Sequence, residues 1–264
     1  MSSKRNFGDL EFLVLWELIT GEGLPRPFIF TSRTPLLYDY LREKHEVAEH
    51  LRSNWNWTFD SLARVVGQPD LRIVVTGFDG RDPRRAQGRI RMIAFRRGDL
   101  GYLIRQVPGE TYVHSSGFEV RECDPLRLAD GVVGALPEVE AGHQADMQLG
   151  STRDGALDHA FERTVIADTF EDSMSHRSKK FLAEKPACMG TVEVIQGHST
   201  FGPRGIIAHR LQWRDLEDDG RYIIRDQQPY TATGADSSRF TTAINIYVAA
   251  VVQAIKDERG TLHR

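Results

Sequence analysis

Histidines and glutamates recur in one short segment, His45-Glu46-Val47-Ala48-Glu49-His50, and such side chains can bind zinc or transfer protons. The segment is close to the zinc-protease pattern H-E-x-x-H, in which two histidines four residues apart face one metal ion. Here the histidines are five residues apart, which places the second about 140° around a helix from the first, against about 40° for a separation of four. We therefore interpret the segment as a solvated helix face and predict no metal site.

The other side chains with catalytic potential lack the neighbours that catalysis needs. Cys123 and Cys188 stand outside any C-x-x-C pair, and two cysteines are too few for a disulfide framework or a four-thiolate zinc site. The sequence has no G-x-S-x-G elbow, no phosphate-binding G-x-x-x-x-G-K-[ST] loop and no G-x-G-x-x-G after a strand. This favours a binding protein that needs no cofactor, and leaves open an enzyme whose residues meet only in three dimensions.

One segment has an unusual charge. Seven arginines and a single acid, Asp82, lie between Arg81 and Arg97. An electropositive hairpin of this kind can meet an acidic partner or nucleic acid, or it can be a solvated hairpin that charge protects from edge aggregation. Phe95 is its only aromatic residue, and this argues against a single-strand nucleic-acid binder, which interleaves basic and aromatic side chains.

Length and composition describe an ordinary globular chain. Its 264 residues are 40% hydrophobic, and 34 basic against 37 acidic side chains give a net charge of −3. This near balance excludes a polycation built for nucleic acid or an anionic membrane. No segment approaches the roughly 20 apolar residues that span a bilayer, and the N-terminus has no secretion signal, so we expect a cytoplasmic protein with no membrane partner.

The first half of the chain predicts three helices, a strand meander and a fourth helix. Pro25 and Pro27 make Leu24–Phe30 a short edge strand between the first two helices, because proline cannot donate to a ladder. Apolar residues at helical spacing place the helices at Asp9–Thr20, from Thr34-Pro35 to about Trp55, at Phe59–Val66, and from Asp124-Pro125 to Leu136. The meander strands are predicted at Leu71–Phe78, Arg89–Arg96, Leu100–Val107 and Gly117–Cys123.

The second half repeats that order after a polar, glycine-rich stretch at residues 137–155, which we interpret as a boundary or mobile linker. Helical spacing resumes at Leu157, Ala160, Phe161, Thr164 and Val165, and a further helix is predicted at Ser178–Glu184. Four strands and a closing helix then follow, at Thr191–Gln196, Gly205–Trp213, Arg221–Asp226, Tyr230–Thr233 and Ser237–Glu258.

The two halves also share a sequence pattern. Gly98–Arg105 is similar to Asp218–Arg225, at an offset of 120 residues. We interpret this as a weak internal duplication within a single domain, residues 1–264, with halves of about 1–136 and 150–264 and a linker of about 137–150. The predicted fold class is α+β with pseudo-two-fold symmetry. The alternative is that hairpins of this type converge on similar sequences.

Taken in order, these segments resemble the EspG family, the cytosolic chaperones of mycobacterial-type type VII secretion in actinobacteria. The resemblance covers nearly the whole chain, and its individual pieces are short. They are Leu10–Glu17 with its Trp16, Gly23–Pro27, the helix end Leu62-Ala63-Arg64, strands Ile90–Phe95 and Tyr102–Gln106, Phe201-Gly202, the strand with Trp213, Asp219–Tyr222 ("DGRY") and the closing Asp236–Phe240.

The resemblance implies a binding protein without catalysis. EspG proteins bind the apolar tip of the PPE helical bundle in a PE–PPE heterodimer and keep the pair soluble, and their fold is a pseudo-two-fold α+β body with a central antiparallel sheet flanked by helical bundles. Their partner surface combines the loop between the second and third strands with the C-terminal helical bundle, here roughly residues 173–185. With Pro27–Phe30 counted as the first strand, the implied contact residues are Asp79, Gly80, Arg81, Asp82, Pro83, Arg84, Arg85, Ala86 and Gln87 in the loop, and His176, Lys179, Lys180 and Leu182 in the bundle.

The chain departs from the family in that loop, where arginines replace the usual acidic or polar residues. Partner specificity therefore does not carry over from the family. The alternative function is a module that binds nucleic acid or an anionic ligand through the Arg81–Arg97 hairpin. Pairing with a second copy of the chain is left open by the sequence.

Overall fold

A ten-stranded antiparallel sheet organises the computed structural model, which describes residues 4–149 and 169–262. Along the sheet the strands lie in the order β1-β5-β4-β3-β2-β7-β8-β9-β10-β6. The strands are β1 (Lys4–Phe7), β2 (Leu71–Phe78), β3 (Ile90–Arg97), β4 (Leu100–Pro108), β5 (Ser115–Cys123), β6 (Met147–Gln148), β7 (Cys188–Gln196), β8 (Ala208–Leu216), β9 (Gly220–Arg225) and β10 (Thr231–Gly234). The helices are α1 (Asp9–Thr20), α2 (Leu37–Ser53), α3 (Trp57–Gly67), α4 (Leu128–Val133), α5 (Thr169–Ala183) and α6 (Ser237–Leu262).

The two halves of the sheet have the same topology. Read from its outer edge inward, each half begins with its first strand in the chain and continues with its fifth, fourth, third and second strands. The central pair β2–β7 runs in register from Leu71 opposite Gln196 to Phe78 opposite Met189, and β3, β4, β5 and β1 on one side correspond to β8, β9, β10 and β6 on the other. The predicted α+β class and pseudo-two-fold architecture are confirmed. The two similar sequence segments fall on the equivalent strands β4 and β9, as a duplicated unit would place them, and the division into halves stays a prediction.

Each face of the sheet carries its own helices. On one face, the α6 face, α4 and α6 cover a core that extends through both halves and is centred on the fully buried Trp213. Trp213 fits there because glycines lie beneath it. A Cβ built on Gly190 would lie 2.3 Å from the Trp213 ring, so a larger residue at that position would displace the indole.

The opposite face, the α1 face, is covered by different helices in the two halves. In the first half α1 and α3 pack on β3, β4 and β5, and α2 packs on α1. The rings of Phe12 and Phe118 stack with centroids 4.1 Å apart. In the second half α5 packs through Phe181, whose ring meets that of Tyr222 edge-on at 5.1 Å. Helices therefore lie on both sides of the sheet. No helix in the described part of the chain is long and apolar enough to cross a membrane.

Most of the predicted elements are confirmed, with bounds that differ by a few residues. α1 and β2 have the predicted bounds, and the strands predicted for β3–β5 and β7–β10 are within three residues of those observed. The helix predicted at Ser178–Glu184 is longer and begins at Thr169. The helical pattern from Leu157 to Val165 lies outside the described residues.

Two predictions about the first half are wrong. Leu24–Phe30, including the supposed first strand Pro27–Phe30, forms a turn and no strand; it contains Pro25 and Pro27, which have no N–H to donate. The first strand is instead β1, which pairs with β5 from Lys4 opposite Arg121 to Phe7 opposite Phe118. Because β1 takes its place in the count, the loop between the second and third strands is still the one that begins at Asp79.

The described part of the segment predicted as a linker, residues 137–149, packs along the second half of the sheet. Met147–Gln148 forms β6, and Gly142 donates to the carbonyl of Arg221 at 2.9 Å. Arg221 is fully buried, forms a two-point ion pair with Asp215 (2.7 and 2.8 Å) and donates to the carbonyl of Pro137 at 2.9 Å. The DGRY segment thus anchors residues 137–149 to β9.

Candidate partner-binding surface

Several connections meet at one end of the sheet, which we call the loop end. Consecutive strands are antiparallel, so alternate connections return to the same end. The loop end contains the β2–β3 loop (residues 79–89), the β4–β5 loop (109–114), the β8–β9 turn (217–219) and the segment 184–187 that leads from α5 into β7. The two parts of the predicted partner surface, the β2–β3 loop and α5, therefore reach a common edge.

Asp79 organises the β2–β3 loop from within. This buried carboxylate accepts hydrogen bonds from the backbone N–H groups of Arg81 (2.9 Å) and Asp82 (3.3 Å), and Arg85 pairs with it at 3.2 Å. Burial opposes ionisation of Asp79, but these donors outweigh it and lower its pKa. The loop then ends in a short 3-10 turn, Ala86–Gly88, in which Ala86 is buried.

A close contact joins this loop to the end of α5. A Cβ built on Gly80 would lie 2.6 Å from both the side chain and the carbonyl oxygen of Pro186. Arg81 forms an ion pair with Glu217 of the β8–β9 turn. The predicted loop residues and the connection after α5 are thus in direct contact, and glycine is the residue that permits it.

The predicted loop residues differ in what they offer to a partner. Asp82, Pro83, Arg84 and Gln87 are exposed, and the Asp82 carboxylate accepts from the backbone N–H of Arg84 at 3.0 Å. Arg81 and Arg85 are exposed but each already pairs with a carboxylate of the chain. Of the loop arginines predicted as contacts, Arg84 alone has a guanidinium that meets no carboxylate among the described residues.

The predicted α5 residues share an outward face. His176, Lys179 and Lys180 are exposed, and Leu182 keeps 37% of its surface accessible. The helix is held by Phe181, over which the Arg214 guanidinium lies at 5.1 Å, and Arg214 also donates to the carbonyls of Leu182 and Glu184. The last turn of α5 is therefore fixed to β8 while its cationic side faces solvent.

A further apolar surface was not predicted as functional. Leu36, Leu37, Tyr38 and Leu41, at the start of α2, are 52–77% exposed. The segment that leads into them is bound to the β4–β5 loop, where the Thr31 hydroxyl donates to the carbonyl of Val113 at 2.8 Å. Their signal in the sequence is a run of three consecutive large apolar residues, Leu36-Leu37-Tyr38, next to the charged remainder of α2.

The histidines and cysteines considered in the sequence lie on separate elements: His45 and His50 on α2, Cys123 on β5 and Cys188 on β7. His45 and His50 are exposed on α2, as expected for a solvated face. Burial raises the pKa values of Cys123 and Cys188 to about 11, so both thiols stay protonated near neutral pH. No group of three or more metal-binding side chains occurs within residues 4–149 and 169–262.

The arginine-rich hairpin does not form one basic stripe. Arg81 and Arg85 are paired at the loop end, whereas Arg97 lies at the other end of β3 and donates to the carbonyl of Arg64 at 2.7 Å and to Gln68. The two arginine groups lie at opposite ends of β3, which has eight residues. At a rise of about 3.3 Å per residue they are separated by roughly the whole length of the strand. A nucleic-acid backbone would need cations in a continuous track.

Comparisons with known proteins give one family match and one similar fold. The EspG family model matches residues 9–245 of the chain. A search of the curated proteins gives no significant match. Among solved structures, the type VII secretion system chaperone EspG5 of Mycobacterium tuberculosis, determined in complex with a PE25-PPE41 dimer, is similar with a TM-score of 0.51 and 11% identity. The match covers 98% of this chain and 96% of that one, and at this identity it shows a shared fold.

Proposed function

Because the chain belongs to the EspG family, we propose that it is a cytosolic type VII secretion chaperone that binds a PE–PPE heterodimer and performs no catalysis. The observation that carries the proposal is the family match over residues 9–245, together with a fold that corresponds to EspG5 along nearly its whole length. EspG5 was determined with a PE25-PPE41 dimer bound, and a partner of that class is what we propose for this chain.

We further propose that the chain grips the apolar tip of the PPE bundle at the loop end. The β2–β3 loop meets the connection after α5 there through Gly80 and Pro186, and Arg84 of the loop and Lys179 and Lys180 of α5 are exposed. Arginine suits the rim of such a site because its stem packs on apolar surface while its guanidinium pairs with carboxylates.

The proposed task has a simple physical basis. An exposed apolar bundle tip promotes aggregation, and a chaperone that covers it raises the soluble population by mass action. The chaperone must later release its cargo, which suits an interface of standard size with a polar rim. In the described residues the α5 side of the loop end is polar and cationic, with Leu182 as an exposed apolar contact.

Co-expression tests the proposal directly. The chain is produced with the PE–PPE pair encoded nearest to its own gene, and size-exclusion chromatography with light scattering measures the mass of the complex. We expect one complex with one copy of each protein, and PE–PPE that aggregates when the chain is omitted. Failure to co-elute with any PE–PPE pair would contradict the proposal, whereas a shift of DNA or RNA at low salt would favour the alternative, a nucleic-acid module. The mass of the free chain also shows whether it pairs with itself.

A further inference from the structure

Two arginines, one at the end of the β2–β3 loop and one at the start of β3, lack the counter-charges that Arg81 and Arg85 have. Arg81 pairs with Glu217 and Arg85 with Asp79, whereas Arg89 and Arg91 meet no carboxylate among the described residues. Both are half-buried. Half-buried cations without a counter-charge are uncommon, because burial weakens their hydration.

The two guanidinium groups lie beside each other on the α1 face. Thr76 of β2 is opposite Arg91 in the register, and Arg89, two residues earlier on the same side of the strand, stacks over the ring of Phe78 at 5.6 Å. Arg89 also lies 5.6 Å from the ring of Tyr112, and Arg91 donates to the carbonyl of Tyr112 at 2.8 Å. The β4–β5 loop therefore holds both side chains in place.

The pair is electrostatically unfavourable when nothing is bound. Burial, and after it the charge of Arg89, lower the pKa of Arg91 to about 10. The Nε of Arg89 is buried and has no hydrogen-bond partner. A carboxylate placed against the two groups would remove the repulsion and supply acceptors, and such charge-assisted bonds are among the stronger ones in proteins.

We propose that Arg89, Arg91 and Tyr112 form a receptor for a carboxylate that the partner carries beside apolar side chains. The inference rests on the proposed function and specifies its partner: a PPE-type tip with an acidic residue next to its apolar ones. The surroundings favour a protein over a nucleic acid, because Tyr112 and Val113 beside the pair are each 37% exposed and a phosphate backbone has no apolar side chain to cover them. Exposed Arg84 and Lys179 extend the same positive character.

The test compares matched glutamine variants on the full chain. Arg89→Gln/Arg91→Gln removes the proposed receptor, and Arg96→Gln is the control, since Arg96 lies on the same strand at the opposite end. The dissociation constant for the co-expressed PE–PPE pair is measured at 50 and 300 mM NaCl. We expect the double variant to bind roughly 10- to 100-fold more weakly at low salt and to lose most of the salt dependence, and the control to stay within about 2-fold.

Three further measurements decide how each result is interpreted. Thermal unfolding shows whether the double variant is folded. If it is not, the single variant Arg91→Gln is used in its place, with an expected loss of affinity of about 5-fold. Each acidic residue of the PPE tip is also neutralised in turn. One of these substitutions must weaken binding to the wild-type chain without weakening binding to the double variant any further. Equal binding by folded variant and wild type overturns the inference and leaves the proposed function intact. If the wild-type chain binds no PE–PPE pair, both the proposed function and this inference are wrong. If the variant instead loses binding to DNA, Arg89 and Arg91 bind phosphate.

Discussion

The β2–β3 loop and the β7–β8 loop occupy equivalent places in the two halves of the sheet but present different surfaces. Each has eleven residues, 79–89 and 197–207, and each contains a short 3-10 turn, Ala86–Gly88 and Pro203–Gly205. They lie at opposite ends of the sheet because β2 and β7 are antiparallel. The first contains four arginines, whereas the second contains one arginine and the 67% exposed Phe201.

Each loop is ordered by a carboxylate, but the two carboxylates belong to different parts of the fold. Asp79 belongs to its own loop, and its hydrogen bonds are local. Glu258 belongs to α6 and accepts from Gln196 (2.9 Å), the hydroxyl of Ser199 (2.8 Å) and the backbone N–H of Thr200 (2.9 Å). The β2–β3 loop is therefore ordered by a carboxylate of its own, while the β7–β8 loop is tied to α6. From this difference we expect the first loop to serve partner binding and the second to serve stability.

The largest effect should come from removing the tie on the β7–β8 loop. Glu258→Ala leaves the buried Ser199 hydroxyl without its acceptor and removes one of the two acceptors of the buried Gln196 amide, the other being the carbonyl of His198. We expect a loss of about 3 kcal/mol in the free energy of unfolding. Urea unfolding measures it. PE–PPE binding by the folded variant should not change; a variant as stable as the wild type would show that Glu258 does not anchor the loop.

The same carboxylate gives this loss a pH dependence. Burial opposes ionisation of Glu258, but hydrogen bonds from Gln196, Thr200 and Ser199 lower its pKa to about 2. A lowered pKa stabilises the folded state fully above the ordinary glutamate value of 4.5 and progressively less as the pH falls from there toward 2. The stability difference between wild type and Glu258→Gln should therefore be larger at pH 6 than at pH 3.

The contact between the first loop and α5 should give the next largest effect. In Gly80→Ala the new methyl group would lie 2.6 Å from the carbonyl oxygen of Pro186, so the loop must move away from the end of α5. We expect about a 20-fold weaker complex with PE–PPE and a stability loss of about 1–2 kcal/mol. The matched control is Gly67→Ala, whose Cβ has no neighbour within 4 Å. Equal binding by both variants would remove this contact from the interface.

A smaller effect is expected at the free arginine of the loop. Arg84→Glu reverses an exposed charge that has no carboxylate partner among the described residues, so stability should change by less than 0.5 kcal/mol, as is usual for surface sites. We expect PE–PPE binding to weaken about 5-fold at low salt, chiefly through slower association. Arg85→Glu is the informative comparison, because it also breaks the pair with Asp79 and should lower stability as well. Unchanged affinity in both variants would take the loop out of the binding surface.

The sequence predicted the scaffold better than the surface. Apolar runs bounded by turn residues specified the meander strands well. β2 alternates between buried and half-buried positions, whereas the middles of β3 and β4 are buried on both faces, because helices cover both sides of the sheet there. β1 and β6 were missed: they have four and two residues, too few for any period, and only the neighbouring strand defines them. The loop was found through resemblance and charge, but which arginines are free could not be predicted. Glu217, which neutralises Arg81, lies 136 residues away in the sequence.

The smallest effect should come from the most exposed aromatic residue of the second loop, and it is the sharpest check on the comparison. Phe201 is 67% exposed, so Phe201→Ala removes little buried surface and should change the free energy of unfolding by less than 0.5 kcal/mol. If only the first loop binds the PE–PPE pair, the Phe201→Ala variant should bind the pair with an affinity within about 2-fold of the wild type, as measured by titration calorimetry. A loss of 10-fold or more would mean that both ends of the sheet engage the partner. The different chemistry of the two loops would then reflect two halves of one interface and not a division between binding and stability.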